Sequence, residues 1–108
     1  MNRRSKGAKK ESHLELYEAI LTLKTLEECV NFFDDLCSVA ELRAIEQRYH
    51  VARMLSDGHI YSSILEQTGA SSATISRVNR SLLYGKGSYD VVFSRLGSGE
   101  DSKASNET

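Results

Sequence analysis

The stretch YSSILEQTGASSATISRVNRSLLYG, residues 61–85 of a 108-residue chain, holds two short apolar patterns separated by a glycine. Ile64 and Leu65 fall inward on the first, and Ile75, Val78 and Leu82 recur at helical spacing on the second. Between them, Gly69-Ala70-Ser71 supplies a residue free to take a left-handed conformation and then a hydroxyl suited to cap the next helix. This is the spacing of a helix-turn-helix, in which inward Ile75 and Val78 lock the second helix across the first. Ser71, Ser72, Ala73, Ser76, Arg77 and Arg80 are then left to point outward or sideways, the smallest at the N-terminal end. A helix that enters a DNA major groove end-first needs slender side chains where base edges lie closest. Thr74 is available to a phosphate or to its own backbone. The alternative is an ordinary helical hairpin whose serines are merely caps; the glycine turn, the Ile and Val offsets and the lack of acids favour DNA.

Helix boundaries elsewhere are marked locally. Ser12 with Glu15, Thr25 with Glu28, and Ser38 with Glu41 each have the spacing of a capping box, in which the hydroxyl accepts an orphan N–H and the carboxylate reaches back. Gly58, Gly69, Gly85 and Gly97 each follow a helical pattern and read as stops. Six helices are expected, near 13–23, 26–36, 39–57, 61–68, 72–84 and 89–96, with Ser71 and Ser88 as further N-caps; the chain has no proline to interrupt them. The ending GSGEDSKASNET has too little apolar content to order itself, so residues 97–108 are expected to form a disordered tail after a domain at 12–96.

The formal net charge of −1 hides a division along the chain. Residues 1–11 read as a flexible basic arm with Arg3, Arg4, Lys6, Lys9 and Lys10, followed by an acidic stretch from Glu11 to Asp57. From Ser71 to Gly87 the only charges are Arg77, Arg80 and Lys86. Two basic zones around an acidic body fit a polyanionic partner, here double-stranded DNA; a merely solvated arm is the other reading of residues 1–10.

Apolar residues are too generous for one short chain. Leu14, Tyr17, Ile20 and Leu21 make one stripe, widened by Leu16 and Leu23; Leu26, Val30 and Phe33 make another, with Phe32 off it. Leu42, Ile45, Tyr49 and Ala52 are joined round the side of the third helix by Val51, Met54 and Leu55. Helices apolar over most of their circumference are surrounded by partners, and in a small protein the expected partner is a second copy, a homodimer.

TGA at 68–70, ATISR at 73–77 and Ser81-Leu82, together with SVAELRAI at 38–45 and Arg48, resemble the reading-head region of the Trp repressor superfamily. RYHVARML and LLYGKGSYD extend the resemblance to its small Trp-repressor-like DNA-binding regulators, over roughly residues 12–96. The resemblance implies an all-α, six-helix, intertwined homodimer with one helix-turn-helix at each end. It also implies a corepressor pocket whose polar contacts match Ser38, Arg48, Arg77 and Ser81. The apolar half of that pocket does not match: Val78 stands where the tryptophan-responsive member has a glycine, and Asp35 replaces an apolar wall. The valine fills space the indole needs, and the carboxylate repels the amino acid's own. No response to tryptophan is expected. Asp35 is instead expected to pair with Arg48 or Arg77, since a partly buried arginine left unpaired is costly. Arg77 is thereby divided between an internal clamp and DNA contact, whereas Arg80 reads as a phosphate contact.

Other chemistry has little support. His13, His50 and His59 share no metal-ligand spacing with Cys29 and Cys37, whose plainest role is as small buried hydrophobes, and no phosphate-binding glycine loop exists. Asp34-Asp35 and Glu27-Glu28 read as solvated acids, and no enzyme, metal or cofactor is expected. His59 sits beside the head, as a phosphate contact or a plain surface residue. No apolar run approaches the roughly 20 residues of a membrane helix, and MNRRSKGAKK lacks a secretory apolar segment, so a cytoplasmic protein is expected. The reading is a sequence-specific, dimeric transcriptional regulator, a repressor. Its DNA contacts are Ser71, Ser72, Ala73, Thr74, Ser76, Arg77, Arg80 and Lys86. The competing reading, kept open by the few cations of the head, is a dimeric adaptor that docks a protein partner.

Overall fold

The computed structural model describes residues 8–107, with side chains from His13 to Gly97. Those residues form six helices and no strand: α1 (Ala8–Leu21), α2 (Leu26–Leu36), α3 (Val39–Ser56), α4 (Tyr61–Thr68), α5 (Ser72–Tyr84) and α6 (Ser88–Glu107). The chain divides into two units, residues 1–42 and 43–108.

In the first unit, caps place the helices. Thr25 Oγ1 accepts the Glu28 N–H at 3.0 Å, and the Glu28 carboxylate accepts the Lys24 N–H at 2.8 Å, one residue upstream of the partner expected in a capping box. At the start of α3 the box is complete. The Ser38 N–H donates to Glu41 Oε1 at 2.8 Å, and the Glu41 N–H donates to Ser38 Oγ at 3.1 Å. The Ser38 N–H, and after it the Ser38 side chain, hold the Glu41 carboxyl below its ordinary pKa by bonding the charged form.

α1 departs from expectation. It begins four residues before Ser12, which therefore lies inside the helix: Ala8, Lys9 and Lys10 are good helix formers and carry the pattern upstream. Residues 8–11 of the stretch expected as an arm are helical, and residues 1–7 lie outside the described residues. α1 also stops at Leu21, where Thr22 N–H to Ala19 and Leu23 N–H to Ile20 tighten the last turn, both at 3.1 Å. No residue of α2 is buried, and Leu21 and Leu26 are each more than four-fifths exposed.

The second unit has a core. Val51, Ala52 and Met54 of α3, Ile64 of α4, Ala70 of the turn, Ile75 and Val78 of α5 and Phe93 of α6 form one buried cluster, with Leu55, Leu82 and Tyr89 packed against it. Ile64 is fully buried as expected, but Leu65 is 39% exposed. One turn of an eight-residue helix presents a narrow face, and Ile64 occupies it. Phe93 stacks with Tyr89 at 5.8 Å and meets Tyr49 edge-on at 5.7 Å, while the Arg53 guanidinium lies 4.9 Å from its ring centre and reaches Asp57 at 3.5 Å.

α3 ends in a Schellman motif. His59 N–H bonds to Met54 and Gly58 N–H to Leu55, both at 3.0 Å, with Gly58 at φ 91°. Gly85 ends α5 differently. Its φ is −81°, and a Cβ there would collide with the Ser81 carbonyl; the left-handed residue is Gly87. Ser88, expected as an N-cap, is the first helical residue of α6. That helix runs through Gly97 to Glu107, so the glycine does not end it. A glycine within a helix costs only about 1 kcal/mol relative to alanine, and Gly97 keeps a φ that is not positive.

Candidate nucleic-acid interface

The turn between α4 and α5 is held by backbone and side-chain bonds together. Gly69, at φ 72°, ends α4 by donating its N–H to the Leu65 carbonyl at 2.9 Å. The Thr68 hydroxyl donates to the Ile64 carbonyl at 2.7 Å and accepts the Ala70 N–H at 3.1 Å. Ala70 is buried, so the turn is seated in the core of the unit as well. Ser71 then caps α5: its Oγ accepts the Thr74 N–H and donates to Thr74 Oγ1, both at 3.1 Å.

This cap fixes which groups stand at the tip of α5. The first backbone bond of the helix runs from the Ile75 N–H to the Ser71 carbonyl, which leaves the preceding N–H groups of Ser72 and Ala73 without an intrahelical partner at the positive end of the helix dipole. Ser71, Ser72, Ala73, Ser76, Arg77 and Arg80 are all exposed, and Thr74 is half-buried with its hydroxyl engaged by Ser71. On the opposite side Ile75 and Val78 are buried, no more than 2% exposed. The structure therefore brings the α5 residues named from the sequence onto one accessible face, small at the tip and cationic further along. Lys86 is exposed in the segment before α6. Leu83 and Tyr84 continue the exposed surface at the far end of α5, with Tyr84 81% exposed. Their exposure was not legible from an apolar pattern.

Arg77 and Arg48 are both exposed, and neither pairs with a carboxylate among the described residues of the second unit. Asp35, the partner expected from the sequence, belongs to the first unit.

The positions matched to a corepressor pocket are divided. Ser38 belongs to the first unit, where its hydroxyl is engaged as the cap of α3. Arg48, Arg77 and Ser81 belong to the second unit and are exposed. Val78 is part of the buried cluster. No group of His, Cys, Asp and Glu among the described residues is arranged to hold a metal ion, and Cys29 and Cys37 are free and half-buried thiols. No helix of the described residues is long and apolar enough to cross a membrane.

The sequence model of one family, described as "Trp repressor protein", matches residues 11–97. A Bacillus subtilis (strain 168) protein, "Uncharacterized protein YerC", is 51% identical over 82 residues, which cover 76% of this chain and 79% of the relative. The crystal structure of a TrpR-like protein from Eubacterium eligens ATCC 27750 superposes with a TM-score of 0.78 at 52% identity, covering 81% of this chain and 90% of that one. A second solved structure, of a putative Trp repressor from Staphylococcus aureus, gives a TM-score of 0.78 at 47% identity, over 81% of this chain and 87% of that one.

Proposed function

The chain belongs to the Trp repressor protein family, and from that premise we propose that it is a sequence-specific transcriptional repressor that binds double-stranded DNA as a homodimer. Trp-repressor-like proteins are DNA-binding regulators, which supports this reading. The observation that carries it is the exposed face of α5, with slender residues at a capped tip, Arg77 and Arg80 behind them and no acid from Ser71 to Gly87. Ser72, Ala73 and Ser76 address base edges in the major groove, while Arg77, Arg80 and Lys86 engage phosphates. Such a regulator acts in the cytoplasm, where the DNA is reached directly.

The dimer is supported by what the first unit leaves uncovered. Leu14, Leu16, Tyr17, Leu21, Leu26, Val30 and Leu36 are all at least 40% exposed, a set of large apolar side chains on two consecutive helices that a partner can cover. A second copy covering α1 and α2 also provides a second reading head, and half-sites one helical turn apart follow from the twofold symmetry. Gel shifts on random duplex pools at two salt concentrations test the reading. Salt-sensitive binding that survives competitor DNA supports it; failure to bind at either salt points to a protein-docking adaptor instead.

Two results are expected of the wild-type protein and a shortened form. Titration calorimetry with tryptophan gives no specific heat, because Val78, buried in the core, stands where the resemblance to the tryptophan-responsive member calls for a glycine; micromolar binding would contradict this. Removing residues 1–7 takes away Arg3, Arg4 and Lys6. It is expected to weaken binding to all duplexes alike and to reduce the slope of log K against log salt by about 0.9 for each phosphate no longer neutralised. An unchanged slope would exclude the arm from the interface.

A further inference from the structure

We propose that Gln47, on α3 and outside the helix-turn-helix, is the residue that sets the orientation of the reading helix, by hydrogen-bonding the turn through Thr68. The inference rests on the DNA-binding reading above and adds a positioning residue to it. Gln47 Nε2 donates to the Thr68 carbonyl at 3.1 Å, a half-buried bond between residues 21 apart in sequence. The helix caps, the bonds of the Thr68 hydroxyl and the bond between Gln67 and Ser63 all join residues no more than four apart. Gln47 is thus a polar tie between the scaffold helix and the head.

The need for such a tie follows from the packing. Ile64, Ala70, Ile75 and Val78 meet Val51 and Ala52 through apolar contact, which holds surfaces together but is non-directional. A hydrogen bond prefers an angle above about 150° and weakens steeply below about 120°, so it adds a directional restraint that apolar contact lacks. Thr68 is well placed to transmit that resistance, because its hydroxyl bonds Ile64 on one side and Ala70 on the other. Its carbonyl belongs to the last turn of α4, where intrahelical donors run out, and Gln47 supplies one. Ser72 lies four residues beyond, so a small rotation at Thr68 shifts the tip of α5 against base edges. Arg77, Arg80 and Lys86 keep their charges, so attraction to phosphates, which needs no fixed register, persists while discrimination between bases falls.

The surroundings make a clean test available. The bond lies in a cleft of about 400 Å3 lined also by Arg43, Glu46, His50 and Gln67, open to water, so a carboxylate is tolerated there. Gln47→Glu keeps the shape but, when ionised, has no proton to donate to a carbonyl. Gln67→Glu is the control: it adds the same charge to the same cleft, and the Gln67 amide that it replaces donates to Ser63 Oγ within α4, at 3.1 Å. Gln47→Leu removes the donor without adding charge. Each protein is measured on the duplex selected by wild type, on single-base variants of it and on unrelated duplex, across a salt series.

Gln47→Glu and Gln47→Leu are expected to lose discrimination between selected and variant duplexes by roughly tenfold, about the worth of one mismatched base pair. Their binding to unrelated duplex and their salt slopes are expected to match Gln67→Glu and wild type respectively. Discrimination equal to that of Gln67→Glu overturns the positioning role. If wild type itself selects no sequence, the DNA-binding reading falls first, and the role of Gln47 falls with it.

Discussion

Phe93→Ala is expected to lower the unfolding free energy of the protein by about 3–5 kcal/mol, the range for truncating a buried aromatic side chain. Phe93 is 8% exposed and is the meeting point of Tyr49, Tyr89 and Arg53, so its loss empties a cavity and also releases a stacked ring, an edge-on ring and a cation. Among the described residues, α6 has no other member of the buried cluster; with Phe93 gone, only Tyr89 of that helix still packs against it. Because net stabilities of domains are about 5–15 kcal/mol, the variant should be near the edge of folding. Urea denaturation followed by helical circular dichroism, at one fixed protein concentration so that association does not confound the comparison, measures the loss. Phe93→Leu should lose clearly less by retaining most of the volume. A loss below about 1 kcal/mol for the alanine variant, no more than an ordinary substitution, would remove Phe93 from the core.

Ile75→Ala is expected to cost about 2–5 kcal/mol and to abolish selective DNA binding, since Ile75 is fully buried and seats α5 on the rest of the unit. Ser76, the next residue, is exposed and supplies the contrast. Ser76→Ala should leave stability within about 0.5 kcal/mol and still change base preference by about 1–3 kcal/mol at one position of the site. Parallel denaturation and binding measurements on the two variants separate the inner face of α5 from its outer face. If Ser76→Ala binds every duplex as wild type does, the outer face is not the reading face. If Ile75→Ala retains full selectivity at a temperature where it is folded, α5 is not held by its buried residues.

The parts of this fold that are local in origin were readable as sequence. Thr25, Ser38 and Ser71 cap helices because each hydroxyl meets an N–H three residues on, a relation written entirely within four positions. The α4–turn–α5 segment was legible for the same reason, with Gly69 taking the left-handed conformation its place requires. Ser12 misled because a good cap does not exclude a helix that has already begun in favourable residues. Gly97 misled as a stop in the same way, since a glycine costs a helix only about 1 kcal/mol relative to alanine.

Burial is where sequence reading lost resolution. Ile64 and Leu65 are adjacent apolar residues, and which one enters the core depends on the angle at which α4 meets α3 and α5. Arg77 lies one residue from buried Val78, close enough for a structural role to be argued, yet the helix turns its guanidinium outward. Gln47 carried no signal, because a glutamine on the third helix acquires meaning only when folding brings it beside Thr68.

The central claim is that the exposed face of α5 reads DNA in two symmetric copies, and selection of bound duplexes from a random library tests it most directly. Recovery of one palindromic sequence, with half-site centres about 10–10.5 base pairs apart, is the result predicted. Retention of random sequence with no enrichment after repeated rounds, at a salt concentration low enough to keep complexes intact, would contradict it.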